Sequence, residues 1–148
     1  MSLIVHVKER LETEVPALTG KLDYVAELAA LTDAGAPPQR EVSAFVIPLG
    51  ADDQGGGGAT AAGLHTQTIG ETVGVILCIK ALGDAKARKA LPTIDELGNA
   101  VTAALAGWGP EDASGVLMFR RGRLVSVTKG LVVYQLEYTL LDQLRIAR

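Results

Sequence analysis

Residues 115–148 read GVLMFRRGRLVSVTKGLVVYQLEYTLLDQLRIAR and contain three apolar runs in succession. The runs are rich in Val, Leu, Phe and Tyr, which fit a pleated, half-buried surface. Polar breaks separate them at 120–123 and 128–130. Each break contains a glycine, Gly122 or Gly130, that can adopt the positive φ of a tight hairpin loop. The stretch therefore predicts an antiparallel β-meander.

The last of these runs, residues 131–141, alternates between two kinds of side chain. One predicted face carries Val132, Tyr134, Leu136, Tyr138 and Leu140. The other carries Gln135, Glu137 and Thr139, with Leu131 and Val133 at its start. Because successive side chains of a strand point to opposite sides of the sheet, we expect the first face on a core and the second against water or a partner.

Two further strands are predicted upstream of the meander. Residues 41–49 form an apolar run in which Pro48 indicates a sheet edge or the end of the strand. Residues 65–81 predict one long strand, exposed at its start and central at its end. Gly70 and Gly74 within it indicate a bend, a bulge or a close approach. The pattern of residues 20–33 is ambiguous, because it fits either a short strand at 21–25 or a short helix at 25–31.

Helical patterns lie on either side of these strands. Ser2 can cap a first helix that runs to about Val15, before Pro16, with an apolar stripe along one side. A second helical segment covers 85–91 and ends at Pro92. A third runs from a capping box at 93–96 to about residue 107. The fold class expected is α+β, with a mixed, mainly antiparallel sheet that an N-terminal helix and a central helix cover.

Residues 50–64, GADDQGGGGATAAGL, contain two acids, Asp52 and Asp53, followed by four glycines, Gly55, Gly56, Gly57 and Gly58. Ordering four glycines costs much conformational entropy and returns no apolar burial. We predict a long flexible loop between two strands. A phosphate-binding loop would need a Lys-Ser/Thr pair and a helix after the glycines, and an extended pattern follows instead.

Composition excludes several classes of function. The 148 residues suit one domain spanning 1–148, and a net charge of −3 gives no sign of nucleic-acid binding. A single cysteine, Cys78, leaves no disulfide and no multi-cysteine metal site. The two histidines, His6 and His65, lack neighbours suited to catalysis or metal binding. We therefore expect no enzyme activity, cofactor or metal, and no membrane span, since no apolar run approaches about 20 residues.

The arginines of the first polar break, Arg120, Arg121 and Arg123, are predicted to form a hairpin tip. Such a tip is either a solvated turn or a contact for an acidic partner surface or passing nucleic acid. The acid pairs at 52–53 and 111–112 are expected in loops, which would not hold two carboxylates at a fixed catalytic separation.

The order of elements resembles the tail terminator proteins of tailed bacteriophages and prophages. Residues 45–50, FVIPLG, resemble the strand before that family's variable loop, and residues 72–81 resemble its central strand. Residues 105–108, LAGW, resemble the end of its main helix. Residues 131–138 resemble its last strand, in which an aromatic residue of an LxWWxxxF-like run is common. Tyr134 and Tyr138 occupy the aromatic positions here.

This resemblance implies a structural virion protein that is made in the host bacterial cytoplasm and located in the neck region of the tail. Such proteins form a ring, usually a hexamer, on the tail tube, stop its growth and face the head–tail connector or head-completion protein. A contractile tail would add the sheath as a partner, and DNA would pass through the ring without sequence-specific binding. The candidate contact residues are Pro48, Asp52, Asp53, Gly55, Gly56, Gly57, Gly58, Arg120, Arg121, Arg123, Gln135, Glu137, Arg145 and Arg148.

Three alternatives stay open at this point. A tail tube, head-completion or minor tail protein of similar size would also form rings, and a tube protein would stack on itself. A small-molecule-binding α/β domain could use residues 50–64 as a lid over a pocket. A soluble adaptor domain is the third.

Overall fold

A computed structural model of the chain describes residues 2–25, 41–54, 60–61, 63–81, 88–128 and 130–147. The elements are α1 (Leu3–Glu14), a short 3-10 turn (Pro16–Leu18), β1 (Leu22–Tyr24), β2 (Val42–Asp53), β3 (Thr60–Ala61), β4 (Leu64–Lys80), α2 (Ala90–Leu105), β5 (Leu117–Thr128) and β6 (Leu131–Ala147). Among the described residues, no helix has the length and apolar composition that crossing a bilayer requires.

All the strands belong to one sheet, with the order β1-β2-β4-β6-β5 and with β3 paired to β4. β1 runs parallel to β2, and the other pairs are antiparallel. β4 and β6 pair along their whole length, from Leu64 opposite Ala147 to Lys80 opposite Leu131. The predicted α+β class with a mixed, mainly antiparallel sheet is confirmed, and the short strand expected at 21–25 corresponds to β1.

Both helices pack on the same face of this sheet, which we call the helix face. The core includes the predicted stripe of α1, through Leu3, Val7 and Leu11, and the predicted inner face of β6. Val132, Leu136, Tyr138 and Leu140 are all buried there, and Tyr134 packs against them. The alternation in the sequence thus identified the core side of β6 correctly.

The opposite face, which we call the open face, is less polar than predicted. Ile47, Ile76, Cys78 and Val133 form a second buried cluster on it. Burial raises the pKa of the Cys78 thiol to about 11. Gln135 and Thr139 are only 3% and 4% exposed, because β6 lies between β4 and β5. The expectation that this whole side of β6 meets water or a partner was therefore wrong for Gln135 and Thr139.

The predicted hairpin tip at Arg120–Arg123 was wrong, because β5 continues through it. The C-terminal region is one hairpin of two long strands, with a turn at Gly130, where φ is 76°. A register shift between Phe119 and Arg121 absorbs the additional residue. Gly122 does not form a turn. It leaves room for the Tyr134 side chain, since a Cβ on Gly122 would lie 2.7 Å from the Tyr134 hydroxyl.

The predicted loop at 50–64 was too long at both ends. β2 continues to Asp53, which pairs with Ile69, and β3 occupies Thr60–Ala61. Pro48 lies inside β2 and not at its end, next to a register shift, and beyond the three residues that β1 covers. Among the described residues no strand pairs with this part of β2 on that side, so Pro48 lies on an open stretch of the edge. Residues 55–59 and 62 lie outside the described residues.

Gly74 confirms the expectation of a close approach along β4. A Cβ on Gly74 would lie 2.7 Å from the Cγ2 atom of Ile47 on β2. The glycine leaves room for Ile47 in the smaller cluster on the open face. The pattern of β4 itself, exposed at its start and buried over residues 73–79, also agrees with the prediction.

Pro92 does not separate two helices as predicted. α2 begins at Ala90 and contains Pro92 in its first turn, so Thr93 and Glu96 do not form a capping box. The first N–H groups of a helix have no acceptor within it, so a proline costs little there. The helix ends as expected, with Gly107 at φ 80° just beyond it. Residues 82–87 and 26–40, where other helical turns were predicted, lie outside the described residues.

Candidate interaction surfaces at the two sheet edges

In the part of the chain that the structure describes, β5 forms one edge of the sheet and pairs only with β6. Nine large hydrophobic side chains in the described ranges are exposed, and five of them lie on or next to this strand: Val116, Met118, Phe119, Leu124 and Val127. Their exposed fractions run from 42% to 50%. A long strand edge with so much exposed apolar surface is unusual for a free monomer, so this edge is a candidate interaction surface.

Three arginines are interleaved with these apolar side chains. Arg121 Nε lies 2.6 Å from Glu137 Oε2, and Arg123 Nε lies 3.8 Å from the same oxygen. Both side chains stand on the open face, because their partners in the register are Glu137 and Gln135. Arg120 sits at the register shift and makes no ion pair or hydrogen bond with the rest of the described chain. Because these three arginines lie beside one acid, Glu137, we call β5 the basic edge.

The opposite edge combines β1 with the part of β2 that continues beyond it. It carries exposed apolar side chains, Tyr24 and Leu49, and three exposed carboxylates: Asp23, Asp52 and Asp53. Asp52 pairs with Gly70 in the register, which places it on the open face of the sheet, as Arg121 and Arg123 are. We call this the acidic edge. The cation Lys8 lies 5.5 Å from the centre of the Tyr24 ring and also pairs with Glu12 on α1.

A third surface is the far end of the β4–β6 pair. There, residues 64–69 pair with 142–147, and only β3 and the end of β2 add strands beside them. Leu64 is 44% exposed, and the exposed Arg145 donates from Nε to Gln143 Oε1 at 2.8 Å. We call this end the β4–β6 extension, and a partner could contact it from either face.

A small cavity of about 110 Å³ lies between α1, β4, β6 and the turn before β5. His6 Nε2 is 3.5 Å from Asp112 Oδ1, and the Ser114 hydroxyl donates to Asp142. Burial raises the pKa of Glu71, and the Asp142 carboxylate raises it further. The hydrogen bond from Ser114 lowers the pKa of Asp142. Within the described ranges, no group of three or more His, Cys, Asp or Glu side chains is arranged to hold a metal ion.

We expect Glu71→Gln to raise the melting temperature slightly at pH 7, by about 1–2 °C after allowing for solvent screening. The raised pKa of Glu71 means that ionised Glu71 opposes folding. This cost is absent below the pKa of the unfolded chain and grows as pH rises through the folded pKa. The gain should therefore shrink towards pH 4. Glu96→Gln on the exposed face of α2 is the control, and a gain that is the same at both pH values would contradict this assignment.

The structure does not bring all the predicted contact residues together. Arg121, Arg123, Gln135 and Glu137 are neighbours on the open face at the basic edge, while Pro48, Asp52 and Asp53 lie at the acidic edge. Arg145 lies at the far end of β6, and Gly55–Gly58 and Arg148 lie outside the described residues. The apolar half of the basic edge was missed, although apolar residues interleaved with arginines over 116–127 could have signalled it.

Comparisons with known proteins add a family to this geometry. A family model described as phage tail terminator protein matches residues 4–148. No curated protein matches the chain. Among solved structures, a chain from the virion of a native gene transfer agent (GTA) particle is similar, with a TM-score of 0.57 and 18% identity. The similarity covers 96% of this chain and 95% of that one, and it shows that the two share a fold.

Proposed function

The chain belongs to the phage tail terminator family, and we propose that it forms a hexameric ring on the head-proximal end of a phage tail tube. In this role the ring stops tube elongation and presents the joining surface for the head–tail connector. The family match over 4–148 carries the proposal, since it makes the chain a structural protein of the virion tail.

The two sheet edges support ring formation on physical grounds. A closed cyclic ring uses a heterologous interface, in which one surface of each copy contacts a different surface of the next. The basic edge and the acidic edge are two such different surfaces on opposite sides of one sheet. Each carries exposed apolar side chains, so an association between them would bury apolar area.

The contacts above and below the ring are assigned to the remaining candidate residues. We place Arg145 and the exposed Leu64 against the tube or the connector, because the β4–β6 extension leaves the helix-covered part of the sheet. Gly55–Gly58 and Arg148 belong to the same set of proposed contacts. A peripheral contact of this kind adds to binding without being needed for ring closure.

Negative-stain imaging and native mass spectrometry of the purified protein, alone and mixed with tail tubes, test this function. We expect discrete six-fold rings with a central hole that do not stack, and we expect them at one end of each tube. Tubes pre-incubated with the protein should stop growing when free tube protein is added. Self-stacking into long tubes would identify a tube protein instead, and failure to decorate tube ends would reject the terminator role.

A further inference from the structure

We propose that the ring closes by docking the basic edge of one copy, β5, against the acidic edge, β1 and the end of β2, of the next copy. This inference rests on the ring-forming function proposed above and names the surfaces that perform it. The occupant of the exposed β5 edge is thus a second copy of this chain.

Charge complementarity between the two edges is the first argument. The basic edge carries Arg120, Arg121 and Arg123 against one neighbouring acid, Glu137. The acidic edge carries the exposed carboxylates of Asp23, Asp52 and Asp53. Opposite charge across an interface steers association and suppresses the wrong pairings. The whole chain has a net charge of only −3, so the separation of charge between the edges reflects placement and not composition.

Position on the sheet is the second argument. Arg121, Arg123 and Asp52 all stand on the open face, away from the helices. When identical copies lie side by side in the same orientation, the open face of each continues into the open face of the next. Asp23 also stands on this face, because its register partner is Phe45, and the row continues through Ile76 and Gln135 to Arg123. Asp23 of one copy is therefore level with Arg123 of the next when the β5 edge approaches the β1 edge of its neighbour. Asp52 lies in the row of Leu141 and comes level with the arginines when the neighbour is shifted along the strands.

Apolar exposure is the third argument. Met118, Phe119 and Leu124 on the basic edge are 42–50% exposed, and Tyr24 and Leu49 on the acidic edge are 41% and 39% exposed. A heterologous contact would cover both sets at once. Pairing two copies through the same edge would instead bring arginines against arginines or carboxylates against carboxylates, which costs free energy.

The backbone of the two edges favours side-chain docking over a continuous sheet. β5 contains register shifts at 119/121 and at 124/126, and β2 contains one at 48/50. Pro48 also lacks an N–H group to donate across the open edge. Such irregularities interrupt the ladder that an open-ended sheet would need. They are consistent with a contact that closes a ring of copies and does not extend one sheet from copy to copy.

Two charge-reversed variants test the pairing. The first, R120E/R123E, makes the basic edge acidic and keeps Arg121, which pairs with Glu137. The second, D23R/D52R, reverses the two carboxylates of the acidic edge that stand on the open face. Each alone reverses two of the three charges on one edge, which sets like charges against each other there and should weaken ring formation by roughly tenfold or more. The controls R88E and E96R change the charge at exposed positions outside β1, β2 and β5, and far-ultraviolet circular dichroism checks that all variants fold.

An equimolar mixture of the two edge variants gives the decisive result. The β5 edge of the first variant is now acidic and complements the β1–β2 edge of the second, which is now basic. The two unaltered edges also complement each other. Alternating rings with an even number of copies should therefore reappear. The inference is overturned if either folded variant assembles like the unaltered protein, or if the folded pair fails to assemble when mixed. If the unaltered protein is monomeric alone, the same comparison is made on tube ends.

Failure of the interface and failure of the function are distinguishable. If the unaltered protein forms rings or caps tubes and the edge variants do the same, only the proposed pairing of edges is rejected. An unaltered protein that neither forms rings nor decorates tube ends removes the terminator function, and the interface with it. The D23R/D52R variant also separates this pairing from a contact between two β5 edges, which it would leave intact.

Discussion

Replacing Gly115 by alanine is expected to destabilise the fold by about 3 kcal/mol, which for a chain of this size lowers the melting temperature by roughly 10 °C. A Cβ on Gly115 would lie closer than 3.0 Å to the carbonyl oxygen of Leu141 on β6, and a Cβ on Gly109 would crowd the carbonyl of Gly115 in the same way. These neighbours are backbone atoms, so no side-chain rotation can relieve the overlap. Thermal unfolding followed by circular dichroism measures the effect.

Gly98→Ala on α2 is the matched control for this substitution. A Cβ on Gly98 would meet Leu136 Cδ2 at 4.0 Å, which is an ordinary contact. Alanine is also the better helix former, so we expect a gain of about 0.5–1 kcal/mol. If the two alanine variants melt at similar temperatures, the tight packing of Gly109, Gly115 and Leu141 is not the constraint described here. Because Gly115 lies just before β5, its loss should also disturb the basic edge.

Side-chain periodicity predicted most of the core correctly. In α1, β4 and β6, the apolar face follows from the spacing of large apolar residues, and burial of that face is the main favourable contribution to folding. Each of these elements is long and has one face much more apolar than the other. The core side of β6 could therefore be assigned from residues 131–141 alone, without knowledge of which strands lie beside it.

Local turn signals failed where a neighbouring strand overrode them. Residues 120–123 read as a turn because three arginines surround a glycine, yet an edge strand can hold charged side chains on both faces. β6 supplies the hydrogen-bonding partner, and the register shift at Phe119/Arg121 accommodates the additional residue. Pro92 is a similar case, since its place in the first turn of α2 depends on where the helix begins. Both outcomes depend on tertiary context, which local propensity does not contain.

The arrangement of the proposed interface could not be read from the sequence. Asp52 and Arg121 are far apart in the chain, and only the strand order β1-β2-β4-β6-β5 places them at opposite edges of one sheet. That order in turn depends on β6 inserting between β4 and β5, although β5 precedes it in the chain. The individual charged residues were identified as candidates, but their separation into two complementary surfaces required the topology.

Replacing Tyr138 by alanine is expected to cost about 3–5 kcal/mol, lowering the melting temperature by roughly 10–15 °C. Tyr138 is fully buried, and its hydroxyl and that of Thr102 on α2 are 2.8 Å apart. Its ring meets that of Phe119 edge to face at 5.8 Å. Tyr138 thus joins α2 and the β5 edge to the centre of the sheet. Tyr138→Phe keeps the ring and should cost only about 1 kcal/mol, mostly for the lost hydrogen bond.

The tyrosine hydroxyl also predicts how stability changes at alkaline pH. Burial raises the pKa of Tyr138 from its ordinary value of 10.0 to about 12, and the hydrogen bond to Thr102 opposes part of that rise. The neutral phenol therefore contributes stability that is fully present below pH 10 and is lost as pH rises towards 12. Tyr138→Phe lacks this contribution. The difference in free energy of unfolding between the unaltered protein and Tyr138→Phe, measured with urea, should therefore narrow between about pH 9 and pH 12. The other tyrosines, Tyr24 and Tyr134, are present in both proteins and cancel in the comparison. Parallel stability curves over this range would show that the Tyr138 hydroxyl is not buried in the folded protein.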